Sequence, residues 1–453
     1  MEKKENVREI AVDTLMLIMS GKEQSHILIR NVLKKYNYME ECDKAFLKRV
    51  TEGTLERLIS IDYVINQFSK VKVNKMKPFI RSLIRMSVYQ ILYMDKVPDS
   101  AACNEAVKLA NKRKFSQLKG FVNGVLRNIA RNKDRLTMPD RSENPQAFLS
   151  VCYSMPEFLV NLLLKQYGEE ETEKILAGYF EEHPVSVRIR ESLSAREQKE
   201  TREYLKKKCG MLTENPILPY ACLIQGSGDL SQDLYFREGK YMVQDVSSML
   251  VGEVAGFKKG DRVLDVCSAP GGKAAHACDK MLFTGTVEAR DVSGYKTALI
   301  LENKERMQLS NLTVKVWDAT EYDENSREQY DVVLLDLPCS GLGVIGKKPE
   351  IRYRLNEENL KELELLQKKI ADTVWDYVKP GGTLVYSTCT IRKEENEEMV
   401  SYLTSACPFR PVSLDDRLPK QLRNQDSAKG YLTLLPGKFN DGFFIAKMVR
   451  REK

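Results

Sequence analysis

A chain of 453 residues exceeds what one hydrophobic core supports, so more than one domain is expected. Hydrophobic content of 42% and charged content of 30% fit a soluble globular protein, and no apolar run approaches the roughly 20 residues of a membrane helix. Three histidines and ten cysteines without a CxxC argue against a zinc site. The net charge of +7 is unevenly placed: residues 1–140 hold 27 basic and 16 acidic side chains, and the remainder is slightly acidic.

The start, MEKKENVREI, is charged and lacks the apolar centre of a signal peptide, which predicts a cytoplasmic protein with reduced thiols. Val7, Ala11, Leu15 and Ile18 recur at helical spacing, with Gly21 as a stop. A second helical region runs from Phe46 to Phe68 and contains Gly53. Pro78 opens a third, where Ile80, Ile84, Val88 and Ile91 share a face; proline suits a first helical turn. Leu118, Val122, Val125 and Ile129 mark another. Strand patterning is absent before about residue 185, so residues 1–138 are read as all-helical. Lys112, Arg113, Lys114, Lys119, Arg127, Arg131, Lys133 and Arg135 fall within 24 residues opposed only by Asp134. Such a stripe can neutralise phosphates, although it also serves plain solubility. The phrases SVYQILYMDKVPDSAACNEAVKLAN and GFVNGVLRNIARN resemble the NusB-type helical RNA-binding domain, which implies an RNA or ribonucleoprotein partner.

Residues 136–150, with two prolines and many polar side chains, read as a linker. Two short helices split at Gly168, the strand pattern of Val185, Val187 and Ile189, and a charged helix ending at Gly210 make residues 150–238 a small α+β segment. Residues 239–453 alternate strands with helices, which predicts an α/β domain with a mostly parallel sheet. Its strand-like runs are Val263–Cys267, Thr286–Arg290, Leu312–Trp317, Val332–Leu335, Thr383–Ser387 and Phe443–Val449.

The stretch DRVLDVCSAPGGKAAH reads as strand, tight loop and helix. In a doubly wound domain the loop after the first strand faces a nucleotide-like cofactor, which nominates Cys267, Ser268, Ala269, Pro270, Gly271, Gly272 and Lys273. Asp291, Asp318 and Asp336 each follow a successive strand; one such acid suits ribose hydroxyls and a further one an adenine amino group. No GxGxxG occurs, which disfavours a dinucleotide. Gly341–Lys348 mimics a P-loop, but Lys348 stands where the magnesium-binding hydroxyl belongs and Pro349 follows. S-adenosylmethionine is the cofactor that fits.

Two motifs carry chemistry at the same sheet edge: Asp336-Leu337-Pro338-Cys339-Ser340-Gly341 and Tyr386-Ser387-Thr388-Cys389-Thr390. Methyltransferases acting on exocyclic amines place an aromatic ring where Cys339 stands. A thiol is needed when the target is a ring carbon without a lone pair. VLDVCSAPGGKAAH, DVVLLDLPCSGLGVIGKKPEIRYR, VYSTCTI, DGFFIAKM and VQDVSSMLV resemble the RsmB/Sun family of RNA cytosine-5 methyltransferases over essentially the whole chain. Leu337 and Ala274 depart from the family's usual Ala and Thr.

The resemblance implies a multidomain chain: a NusB-like all-α domain, a small α+β segment and a Rossmann-like class I methyltransferase domain. It implies Cys389 as the nucleophile at C6, Asp336 at the ring nitrogen and amino group, and Cys339 in proton removal or adduct release. It further implies 16S rRNA as partner, in unassembled or partly assembled small subunits, and a monomer without metal or membrane. The rivals are a non-catalytic assembly or transcription factor retaining the cofactor fold, and methylation of a different RNA or of protein.

Overall fold

The apolar stripes of the first third of the chain close on one another. Ala11, Leu15 and Ile18 from helix Val7–Met19, Ile80, Ile84, Val88 and Ile91 from Pro78–Tyr93, and Val122, Val125 and Ile129 from Lys119–Arg131 share one buried core. The computed structural model describes residues 6–21, 23–181 and 184–452; the charged start at 1–5 and His183 lie outside them. The region Phe46–Phe68 divides into helices Glu41–Glu56 and Leu58–Phe68. A Cβ at Gly53 would stand 2.0 Å from the Tyr89 ring, so only glycine admits that close packing. Helix Ser25–Lys35 buries Leu28 and Ile29 and packs Val32 and Leu33 against the same core.

Two compact units result, divided differently from the segments 1–138, 150–238 and 239–453 read from sequence. The first is Met1–Phe180 with Ile345–Arg354, and the second is Glu181–Val344 with Leu355–Lys453. The expected linker contains helix Pro145–Cys152, started by Pro145 at its first position and capped by Asn144. It belongs to the helical unit because Ser60 Oγ donates to Val151 O (2.5 Å) and Ile59 N donates to Ser154 Oγ (2.8 Å). Helix Glu157–Gly178 breaks at Gly168, where the sequence signalled it.

Residues 345–354 return to this unit from far along the chain. Glu350 accepts from Ser25 N (2.9 Å) and Ser25 Oγ (2.6 Å). Arg352, fully buried, donates to the carbonyls of Tyr153 and Ser154, and the Tyr353 hydroxyl donates to Leu55 O.

The second unit opens with an antiparallel sheet of β1 (Val185–Ile189), β2 (Met211–Glu214), β3 (Ala221–Gln225) and β4 (Tyr241–Val243), in the order β2-β3-β1-β4. The larger sheet holds β5 (Arg262–Asp265), β6 (Thr286–Asp291), β7 (Leu312–Val316), β8 (Tyr330–Asp336), β9 (Val378–Thr388), β10 (Phe409–Pro411), β11 (Tyr431–Leu434) and β12 (Phe443–Arg450). Its order is β10-β12-β9-β8-β5-β6-β7, with β11 paired to β12. Pairs among β5–β9 are parallel, and β12 runs antiparallel against β9.

Helices cover both faces of this sheet, so its central strands are apolar on both sides. Val332 and Leu334 enter one core, while Val333 and Leu335 enter the other. Leu337 and Ala274, the two departures from the family pattern, are buried in these cores. The chain winds outward from β5 through β6 to β7, then returns to β8 on the opposite side of β5. That reversal opens a crevice at the carboxyl ends of β5 and β8, the usual ligand site of such a sheet. Among the described residues, no single helix is long and apolar enough to cross a membrane.

Candidate active site

The loop after β5 is tied down by hydrogen bonds to the neighbouring strands. Ser268 N donates to Arg290 O (2.8 Å), Ser268 Oγ to Asp265 Oδ2 (2.9 Å), and Gly271 N to Ser268 O (2.6 Å). Gly271 has φ of +95°, a region L side chains rarely adopt, and a Cβ there would meet Ile300 at 3.0 Å. The turn ends in helix Gly272–Lys280, which directs its first backbone N–H groups toward the sheet edge. Cys267, Ala269 and Pro270 complete the loop; burial raises the Cys267 thiol, which fits a lining role and no reactive one.

Four carboxylates line the carboxyl edge. Asp291 Oδ2 accepts from Ala269 N (2.9 Å) and its Oδ1 from Val292 N (2.8 Å), with Lys296 Nζ at 3.2 Å, so this acid also braces the glycine loop. Asp318 Oδ1 accepts from Thr320 N and Oγ1, both at 2.8 Å, and these bonds lower its pKa. Exposed apolar side chains flank the two acids, Val292 after β6 and Val316 at the end of β7. Asp336 Oδ2 accepts from Lys273 Nζ (2.7 Å) and its Oδ1 from Ser387 Oγ (2.7 Å).

The fourth acid, Asp265, was not singled out from sequence. Its signal is an acid ending the apolar run Val263-Leu264. It is fully buried, and its Oδ1 has no hydrogen-bond partner among the described residues. Burial, opposed by Lys273 and Ser268 and aided by repulsion from Asp336 and Asp291, pushes its carboxyl up to about 7. Burial alone would lower the Lys273 ammonium. The Asp336 carboxylate, Asp265 and Cys389 together outweigh it, and the net shift is upward. The edge therefore offers carboxylate acceptors, free helix N–H groups and an unpaired buried oxygen. That donor set fits a cationic cofactor carrying hydroxyls and its own carboxylate.

The two cysteine motifs meet beside this edge. Asp336 and Ser387 are partners in the parallel ladder of β8 and β9, so the loops that follow leave the sheet side by side. Cys339 Sγ and Cys389 Sγ stand 3.2 Å apart, both half-buried. Ser340 Oγ meets Thr390 Oγ1 at 2.7 Å, and Gly343 N donates to Cys389 O (2.9 Å). The hydrogen bond with Cys389, then burial, holds the Cys339 thiol well above its ordinary pKa. The two thiols thus lie within hydrogen-bond reach of one another.

Two further groups bear on the expectations from sequence. Glu191, Glu253 and His276 bring possible ligand atoms within 4.8 Å, but Lys280 Nζ already lies 2.9 Å from Glu191 and 2.6 Å from Glu253 as their cation. In the basic stripe Lys112 pairs with Glu9, Arg113 with Glu9 and Asp13, and Lys133 with Asp99. Lys114, Lys119, Arg127 and Arg131 are exposed and have no ion pair among the described residues, so the stripe is narrower than its sequence suggests.

Comparison with known proteins agrees with this architecture. Residues 254–449 match the family model of 16S rRNA methyltransferase RsmB/F, and residues 5–131 match the NusB family. A Bacillus subtilis protein named probable ribosomal RNA small subunit methyltransferase B is 35% identical over 99% of this chain and 100% of its own length. The Salmonella typhi ribosomal RNA small subunit methyltransferase B is 30% identical over the whole of both chains. The crystal structure of PH0851 superposes over 100% of both chains with a TM-score of 0.83 at 26% identity. NSun6 from Pyrococcus horikoshii, crystallised with SFG, shares the fold over 66% of this chain and 99% of its own, with a TM-score of 0.58 at 20% identity. Full-length identity to these relatives, a NusB domain followed by a methyltransferase domain, and two thiols at one sheet edge make this chain a member of the RsmB/F family of ribosomal RNA small subunit methyltransferases.

Proposed function

We propose that this protein transfers a methyl group from S-adenosylmethionine to C5 of a cytosine in 16S rRNA, through a transient bond between Cys389 and C6. The observation that carries this reading is the 3.2 Å approach of two thiols beside Asp336. A ring carbon needs such a nucleophile and an exocyclic amine does not. Once bound, the cofactor supplies a methyl group on a sulfonium centre. Loop residues 267–273 with Asp265, Asp291 and Asp318 hold it.

Cys389, as thiolate, adds to C6, and the C5–C6 π electrons become available at C5. Asp336 receives the amino edge of the base and stabilises the proton that N3 takes from solvent as charge shifts into the ring and returns when Cys389 departs. Lys273 and Ser387 keep that carboxylate oriented. After methylation C5 must lose its proton before Cys389 departs. By then the Cys389 sulfur is spent in the C–S bond, and the largest influence raising Cys339 is gone. Cys339 can therefore release its own proton to solvent and take the one on C5; the electron pair left behind closes the C5–C6 double bond and expels Cys389 as thiolate.

We further infer that the NusB-like unit engages the rRNA, with unassembled or partly assembled small-subunit RNA as substrate. The test uses unmodified 16S transcript, labelled S-adenosylmethionine and mass-spectrometric mapping of the product. Label in 5-methylcytosine is expected. Label only in N4-methylcytosine or on a ribose would overturn the reading.

A further inference from the structure

Cys339 and Cys389 stand on two loops, and neither strand ladder extends to their sulfurs. We propose that Glu395 and Asn396 are the positioning residues that fix the gap between the two thiols. The inference rests on the reading of this pair as the reacting groups. Both side chains are fully buried in the turn that follows Cys389. Glu395 Oε2 accepts from Ser340 N (2.8 Å) and from Gln367 Nε2 (3.1 Å). The same Gln367 nitrogen donates to Pro338 O at 2.9 Å. One carboxylate thereby holds the residues on both sides of Cys339.

Asn396 does the same for the other thiol. Its Oδ1 accepts from Thr388 Oγ1 (2.6 Å), and its Nδ2 donates to Thr390 O (3.0 Å). The Glu395 carbonyl also accepts from the Tyr386 hydroxyl, which ties the turn to β9. Two consecutive residues thus bracket both cysteines.

The residue types follow from the partners. Among the described residues, the groups bonded to the Glu395 carboxylate come from Ser340, through its N–H and side chain, from the Gln367 amide and from the Arg392 guanidinium at 3.4 Å from Oε1. A carboxylate satisfies all three, whereas an amide would turn an N–H₂ against one of them. Asn396 needs one acceptor and one donor, which an amide supplies and a carboxylate does not. A misplacement of about 1 Å in a reacting group costs roughly 10²-fold in rate.

The experiment reads the sulfur gap as well as activity. Diamide takes two electrons and two protons from a pair of thiols, leaving a disulfide and its own hydrazine, and peptide mapping identifies the Cys339–Cys389 link. Glu395→Gln and Asn396→Ala are expected to slow that link at least about ten-fold and to lower kcat about 10²-fold, with KM for the transcript unchanged within about two-fold. Thr388→Val removes only the hydroxyl bonded to Asn396 and serves if the buried variants fail to fold. It should slow both readouts by about ten-fold, and Thr388→Ser should restore them. Wild-type linking rates in these variants, or a change confined to KM, would overturn the proposal. If wild type modifies no cytosine, the catalytic reading fails while the linking rates still decide the positioning role.

Discussion

Removing one thiol at a time separates addition from release. Cys339→Ala leaves Cys389 able to attack but takes away its thiol partner at 3.2 Å. A hydrogen bond to a charged group contributes about 1.5–3 kcal/mol, so addition should slow by roughly 10–100-fold. The same substitution removes the base for the C5 proton, and general acid–base terms are worth about 10²–10⁴-fold. Release is therefore slowed more than addition, and a methylated covalent complex should accumulate. Incubation with 16S transcript and S-adenosylmethionine, followed by a denaturing gel, should show a retarded protein–RNA band. Cys389→Ala should give no band and no methylation. A band from Cys389→Ala with none from Cys339→Ala would exchange the two roles. Methylation intact in both variants would mean that neither thiol carries the reaction.

Asp318→Ala should weaken S-adenosylmethionine binding by about 1–3 kcal/mol, and Asp291→Ala by at least as much because it also frees the Ala269 N–H; titration calorimetry showing unchanged affinity for both would remove this cofactor map. Charge reversal at Lys114, Lys119, Arg127 and Arg131 should flatten the salt dependence of rRNA binding by about 3 in log–log slope, without altering cofactor affinity. An unchanged slope would return the stripe to solubility. The folded-state pKa of Asp265, about 7, lies above that of an unfolded aspartate, so the folded chain binds the extra proton between about pH 4 and about pH 7. Stability of the ligand-free protein is therefore lost as pH rises through that window. Asp265→Asn should gain about 2–3 kcal/mol on wild type between about pH 5 and about pH 8 in urea unfolding, and an equal difference at both pH values would contradict the burial argument.

Local signals were legible where the pattern itself makes the structure. Strand, glycine turn and helix at 261–276 follow from residue types within one short window, as does the break at Gly168. Pairing across distance was not. The motifs around Cys339 and Cys389 are visible separately, but their approach depends on Asp336 lying opposite Ser387, and only the β8–β9 ladder sets that register. Short strands such as β4 and β10 owe their existence to partners far along the chain. An acid at the end of an apolar strand reads as an edge, whereas Asp265 is fully buried. The helix at Pro145 was hidden because proline and asparagine mark loops as readily as helix starts.

The excursion of Ile345–Arg354 into the helical unit bears on how the protein is made. The ribosome releases Ser25, Leu55 and Tyr153 early, but the partners Glu350, Tyr353 and Arg352 emerge only after residues 181–344 have been synthesised. At about 5–20 residues per second that interval is roughly 10–30 s. Through it the nascent helical unit lacks one strip of its own interior, and it closes only when the loop bearing Cys339 has already left the exit tunnel. Assembly of the helical unit is thereby timed to follow translation of the motif around Cys339.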